Sequence, residues 1–189
     1  MGVSGGGPYV TVCVYKIPER INKAGIVVGL APITKKNLEG MTSQGKLGWA
    51  NYHKFPVLRN MAAFGAALQF RYLPFLGSFL AFPTKQDRTI FNRVKSKVGE
   101  ESGVKEAFSQ GIKGPSEELK VYTDDWGFKV KDIKAKVYLW YGAKDKSVSL
   151  NMGKYYKTQI PNSKLIVDPD GGHLARYNFE EKILKTLTN

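Results

Sequence analysis

Gly2-Val3-Ser4-Gly5-Gly6 is a Gly-x-Ser-x-Gly run, a spacing suited to a sharp strand-to-helix turn that pushes a serine hydroxyl into the open. Glycines flanking such a serine avoid clashes where strand and helix pack closely. A helix N-terminus behind the serine favours developing negative charge, and the N–H of the next residue, Gly5, is a candidate oxyanion donor. Serine is a weak nucleophile unless a base takes its proton and an acid orients that base. The chain has two histidines. His173, in Pro169-Asp170-Gly171-Gly172-His173, follows an apolar run and is the preferred base, with His53, beside Tyr52 and Lys54, as the alternative. Asp145, in Gly142-Ala143-Lys144-Asp145-Lys146-Ser147-Val148, is the preferred acid. Asp168 and Asp170 are the alternatives, but both lie close to His173 in the chain for groups arriving from a separate strand end. The competing reading of residues 2–7, a mobile Gly-rich end, sits poorly with Pro8-Tyr9-Val10 running straight on into apolar sequence.

These residues need elements to carry them. Gly5 to Tyr15 reads as a helix that stops at Ile17-Pro18. Ala24 to Leu30 is continuously apolar and β-branched, the mark of a buried parallel strand. Lys136 to Gly142, a helix near Leu150 to Ile160 and Lys164 to Asp168 form a strand, helix, strand unit of about 30 residues. Phe179, Ile183 and Leu187 recur every fourth residue on a closing amphipathic helix. Between Pro32 and about Asp132 the pattern turns helical. Pro56 opens a helix through Val57, Met61, Phe64, Leu68 and Tyr72, and Thr84-Lys85-Gln86-Asp87 resembles a capping box before Ile90, Val94 and Val98. Ser102 and Ser116 are further candidate N-caps.

With 189 residues, 42% of them hydrophobic, 24% charged and 12% aromatic, the chain is expected to fold around a core. The net charge of +13 is spread out. Its densest groups, Lys129, Lys131, Lys134 and Lys136, and Arg93, Lys95 and Lys97, alternate with apolar residues as solvated faces do, so no nucleic-acid partner is expected. A single cysteine, Cys13, excludes an intramolecular disulfide and suits a reducing compartment; its apolar surroundings predict a buried thiol. The first residues lack secretory features and no apolar run reaches the ~20 residues of a membrane span, so a cytoplasmic location without a spanning helix is expected.

The elbow Gly2-Val3-Ser4-Gly5-Gly6-Gly7-Pro8-Tyr9, the Asp145 loop and the His173 loop, in that order, resemble the carboxyl-terminal half of an α/β-hydrolase fold protein with a helical cap between its sixth and seventh strands. The resemblance implies Ser4 as nucleophile, Asp145 as orienting acid and His173 as general base, with no metal or organic cofactor. It implies an α/β fold built on a partial hydrolase sheet of three parallel strands, with the first five strands absent. The segments are 1–32 for the elbow and first core strand, 33–132 for the helical cap insertion and 133–189 for the acid and base loops. The activity implied is a serine hydrolase cleaving a carboxylic ester or related acyl bond of a small to medium apolar substrate. An acyltransferase or carbon-carbon hydrolase on the same residues is a weaker variant. The rival reading is a non-catalytic interaction module that binds protein or lipid.

Because the sequence opens at the turn, Ser4 is expected to lack an anchor on its amino-terminal side, and the loop that supplies a second oxyanion donor in the family is missing. Low activity is expected, as is an apolar sheet edge open to self-association or a partner chain. Asn60 to Pro83 carries one charge, Arg71, and reads as an apolar pocket lining or lipid-facing surface, or as the cap's own core packed on the sheet. Trp49, Trp126 and Phe128 are expected pocket walls.

Overall fold

The computed structural model describes residues 1–72, 84–100 and 106–188. The capping role considered for Ser102 and the stretch beyond Tyr72 up to Pro83 lie outside them. Four parallel strands form one sheet in chain order: β1 (Gly2–Val3), β2 (Ala24–Val27), β3 (Val137–Gly142) and β4 (Ser163–Asp168). The registers Gly2 to Ile26, Ile26 to Leu139 and Leu139 to Leu165 run straight across it. Three strands were expected. The fourth is the two-residue β1, too short to show any periodicity of its own.

Helices cover both faces. On one, α1 (Gly6–Lys16) and α7 (Leu150–Gln159) enclose Val14, Ile26, Leu139, Tyr141, Met152 and Tyr156. On the other, α8 (Arg176–Thr188) lays Phe179, Ile183 and Leu187 on Val3, Val27 and Trp140. Burial on both sides explains why β2 and β3 are uninterrupted apolar runs. Helix α1 ends at Ile17 because Pro18 begins a 3₁₀ turn, Pro18–Arg20. It buries Gly7, Pro8, Thr11 and Val14, a face from which Cys13 points away. Cys13 is exposed, contrary to the expected buried thiol.

The apolar run from Ala24 predicts a strand as far as Leu30, but β2 stops at Val27. Val28 turns the chain with φ +43°, a left-handed conformation that is costly for a β-branched residue. The loop beyond it is held from within the core. Tyr141 donates its hydroxyl to the Gly29 carbonyl at 2.7 Å, and Tyr156 donates to the Leu30 carbonyl at 2.5 Å.

Every element described between β2 and β3 is helical: α2 (Lys35–Leu38), α3 (Ser43–Asn51), α4 (Pro56–Tyr72), α5 (Lys85–Glu100), α6 (Lys113–Thr123) and a 3₁₀ turn, Val130–Asp132. Thr34 and Thr42 cap α2 and α3 by accepting from the N–H groups of Asn37 and Gly45. Ser116 is no N-cap. It lies inside α6 and donates to Asn60 Oδ1 at 2.6 Å, tying α6 to α4. Helix α4 forms where its spacing predicts, yet Val57, Met61, Phe64, Leu68 and Tyr72 are all exposed, so in this part of the segment the apolar row is not packed on the sheet. Helix α5 instead presents Ile90 and Val94 to Leu174.

Candidate active site

Ser4 follows β1 directly and has φ +53°, a conformation that a non-glycine residue holds only when its surroundings impose it. Those surroundings are present. The Ser4 N–H donates to the Val27 carbonyl at 3.0 Å, and the Ser4 carbonyl accepts from Gly7 at 3.0 Å and Leu30 at 3.1 Å. The expectation of an unanchored serine is thus corrected: β1, the exit of β2 and the first turn of α1 all hold it. Close approach accounts for two glycines of the turn. A Cβ on Gly2 would strike the Gly6 carbonyl and the Val10 side chain, and one on Gly7 would lie 2.9 Å from the Gly29 Cα. Gly6, expected to need its small size, faces open space.

His173 opens a 3₁₀ turn, His173–Ala175, that follows the loop after β4. Its Nε2 lies 3.1 Å from Ser4 Oγ and its Nδ1 lies 2.8 Å from Asp145 Oδ2. Asp145 is buried in the turn after β3, and its Oδ1 accepts from the N–H groups of Ser147 at 2.7 Å and Val148 at 2.9 Å, leaving Oδ2 for the imidazole. The three side chains meet at the carboxyl edge of the sheet, from the ends of β1, β3 and β4. The alternatives are engaged elsewhere. His53 is exposed in the turn between α3 and α4 and makes none of these contacts. Asp168 accepts from the Asp170 N–H and from Asn178 Nδ2, while Asp170 pairs with Lys144 in solvent.

Burial of the His173 ring opposes its protonation. The Asp145 carboxylate, through its charge and hydrogen bond, and then Asp87 outweigh that effect, with Arg176 opposing them, and the imidazole pKa is raised above its usual value. Gly5 precedes the first helical residue of α1 with φ −58°, and its N–H meets no acceptor among the described residues, as an oxyanion donor requires.

Two neighbours of the site escaped the sequence. Asp87 is fully buried and accepts from the His173 N–H at 3.0 Å and the Leu174 N–H at 2.7 Å; its capping-box spacing drew attention to it, but not to this partner. Tyr122 of α6 stands over the elbow, its hydroxyl 2.5 Å from where a Gly5 Cβ would be. Burial and then Glu118 push the Tyr122 pKa up, so the phenol stays protonated. Only the offset between α6 and α1 in space, which no local pattern encodes, brings them together.

The expected pocket walls divide. Trp49 packs on Tyr52 and Tyr122, with ring centroids 5.6 and 6.1 Å apart. Trp126 and Phe128 line a cavity of about 600 Å³ with Pro32, Lys131, Tyr155 and Gln159, and no side chain of the Ser4, Asp145 and His173 group borders it. Among the described residues no three His, Cys, Asp or Glu side chains gather as a metal site requires, and no helix is long and apolar enough to cross a membrane.

No family model matches the sequence, and no curated protein matches it. Solved structures do. The chain is similar to an α/β-hydrolase fold protein from Chitinophaga pinensis, with TM-score 0.65 and 18% identity over 98% of this chain and 61% of that one. It is similar to MGS-M2, an α/β hydrolase enzyme from a Medee basin deep-sea metagenome library, with TM-score 0.64 and 18% identity over 98% and 62% of the two chains. An esterase from Exiguobacterium antarcticum aligns with TM-score 0.59 and 14% identity over 98% and 63%. The chain therefore spans about three-fifths of the length of these structures.

Proposed function

We propose that this chain, which has the α/β-hydrolase fold in partial form, is a serine hydrolase that cleaves a carboxylic ester or related acyl bond of a small to medium apolar substrate. The observation that carries the reading is the relay from Ser4 Oγ through His173 to Asp145, with Ser4 held at φ +53°. Ser4 Oγ attacks the acyl carbon while its proton passes to His173 Nε2, and Asp145 balances the imidazolium. The carbonyl oxygen gains negative charge beside the Gly5 N–H. Collapse expels the alcohol, which takes the proton from Nε2 and leaves an acyl-serine. Water then gives a proton to Nε2 and attacks the acyl carbon. The proton returns to Ser4 Oγ as the acid departs.

The aromatic cover of Tyr122 and Trp49 beside the elbow supports an apolar substrate. Gly5 is the oxyanion donor proposed, and one such donor is worth about 3 kcal/mol of transition-state stabilisation. A fluorophosphonate probe should label Ser4 in the intact chain and fail on Ser4→Ala. An unlabelled, folded wild-type chain would count against the reading. The exposed apolar row of α4 favours a second reading, an interaction module without catalysis. Size measurement with an ester assay separates the two: a monomer that hydrolyses short acyl esters supports the enzyme, an inert oligomer the module.

A further inference from the structure

We propose that Asp87 is a positioning residue for His173, gripping the backbone of the base's turn from α5 so that this helix and the imidazole are held as one body. The proposal rests on the hydrolase reading for its catalytic meaning, and on geometry for the grip itself.

Asp87 has no exposed surface, and a buried carboxylate is costly unless its lone pairs are filled. They are filled from far along the chain. Oδ2 accepts from the His173 N–H, 86 residues away, and Oδ1 accepts from the Leu174 N–H, 87 residues away. Thr84 donates its hydroxyl to Oδ2 at 2.7 Å and accepts from the Asp87 N–H at 3.1 Å. In a simple capping box the acidic side chain turns back to the N–H of the capping residue. Here the Thr84 hydroxyl supports the carboxylate from behind, and its acceptor capacity is spent on the turn that carries the base.

The packing fits the same purpose. A Cβ on Gly172 would run into the Asp87 carboxylate, so glycine immediately before His173 makes room for it. One residue beyond, Leu174 packs against Ile90 and Val94, one and two turns further along α5. His173 is thus fixed twice, its ring by Asp145 and its backbone by Asp87. The side chain of a 3₁₀ residue follows its backbone. Releasing the second grip lets Nε2 drift from its 3.1 Å approach to Ser4 Oγ. A displacement of about 1 Å costs on the order of 100-fold in rate without a matching loss of substrate binding.

The test compares the whole wild-type chain with Asp87→Asn and Asp87→Ala. Two readouts are used: the rate of fluorophosphonate labelling at Ser4, and the titration of the His173 imidazole by NMR. The charged groups acting on His173 are Asp145, Asp87 and Arg176, so removing the Asp87 charge lowers the His173 midpoint. Labelling is expected to slow by about 100-fold in either variant, with the far-ultraviolet spectrum unchanged. A folded Asp87→Asn chain with the wild-type midpoint and labelling rate would overturn the proposal, leaving Asp87 as an ordinary first-turn helix residue. Unfolding of both variants would also overturn it, in favour of a purely structural role. If the wild type itself is unlabelled, the hydrolase reading fails, and the titration still decides whether Asp87 holds the turn.

Discussion

His173 stands between burial, which disfavours its charge, and two carboxylates, which favour it and prevail. In the proposed hydrolase His173 acts as a base only when neutral, so ester hydrolysis should rise with pH through a midpoint above the ordinary imidazole value of 6.5. Stability runs the other way. A pKa raised by folding means that the folded chain binds the proton more tightly. The contribution of His173 to stability is therefore complete below the unfolded value and lost as pH climbs through the folded one. Urea unfolding midpoints should fall over the interval in which activity rises, and His173→Gln should remove both trends. Asp145→Asn keeps an acceptor for Ser147 and Val148 but no longer fixes the imidazole tautomer, so under the hydrolase reading kcat is expected to fall about 10⁴-fold in a steady-state assay. Residue types and their order favour Ser4, Asp145 and His173 over His53, Asp168 and Asp170, and the first three side chains lie within hydrogen-bonding distance in a row. Asp87 was legible only as a capping residue, because nothing local couples Thr84-x-x-Asp87 to a turn 86 residues downstream. Cys13 was misjudged because a helix buries one face of an apolar stretch, and neighbours in sequence do not share that face.

Among the elements, the exit of β2 governs the elbow more than its length suggests. Leu30 donates to the Ser4 carbonyl, and the carbonyl of Leu30 is itself held by Tyr156, whose hydroxyl also accepts from Thr11 of α1. Tyr156→Phe leaves that buried carbonyl short of a partner, while the Thr11 hydroxyl keeps its bond to the Gly7 carbonyl. The expected cost is about 1–3 kcal/mol in urea unfolding, with slower labelling of Ser4. The longer strands and helices could be read from sequence because burial on two faces, or on one stripe, leaves a pattern. β1 could not, since two residues have no period, and their strand identity comes entirely from pairing with Ile26 and Val27. The early end of β2 at Val28 was hidden for the opposite reason: a valine forced into a left-handed turn looks, in sequence, like more strand.

At the scale of the molecule, the sheet core and the helices between β2 and β3 differ in how completely they bury their apolar residues. Trp140 and Tyr141 are wholly enclosed, whereas Met61 is 66% and Phe64 54% exposed on α4. Replacing both α4 residues by lysine should change stability by less than about 1 kcal/mol, and under the interaction-module reading should dissolve the oligomer in sedimentation measurements. The helical character of that segment was legible. What its apolar row faces was not, because amphipathic spacing marks a stripe without naming what covers it.

Ser4 and His173 are separated by 169 residues of chain and joined by one short contact. On a ribosome, the hydroxyl is made before the imidazole that would activate it in the proposed hydrolase. Under that reading a half-folded chain carries an inert alcohol, and nucleophilic power arrives only when the His173 turn docks beside Ser4. Recovery of probe labelling after dilution from denaturant should consequently lag behind the return of helical signal.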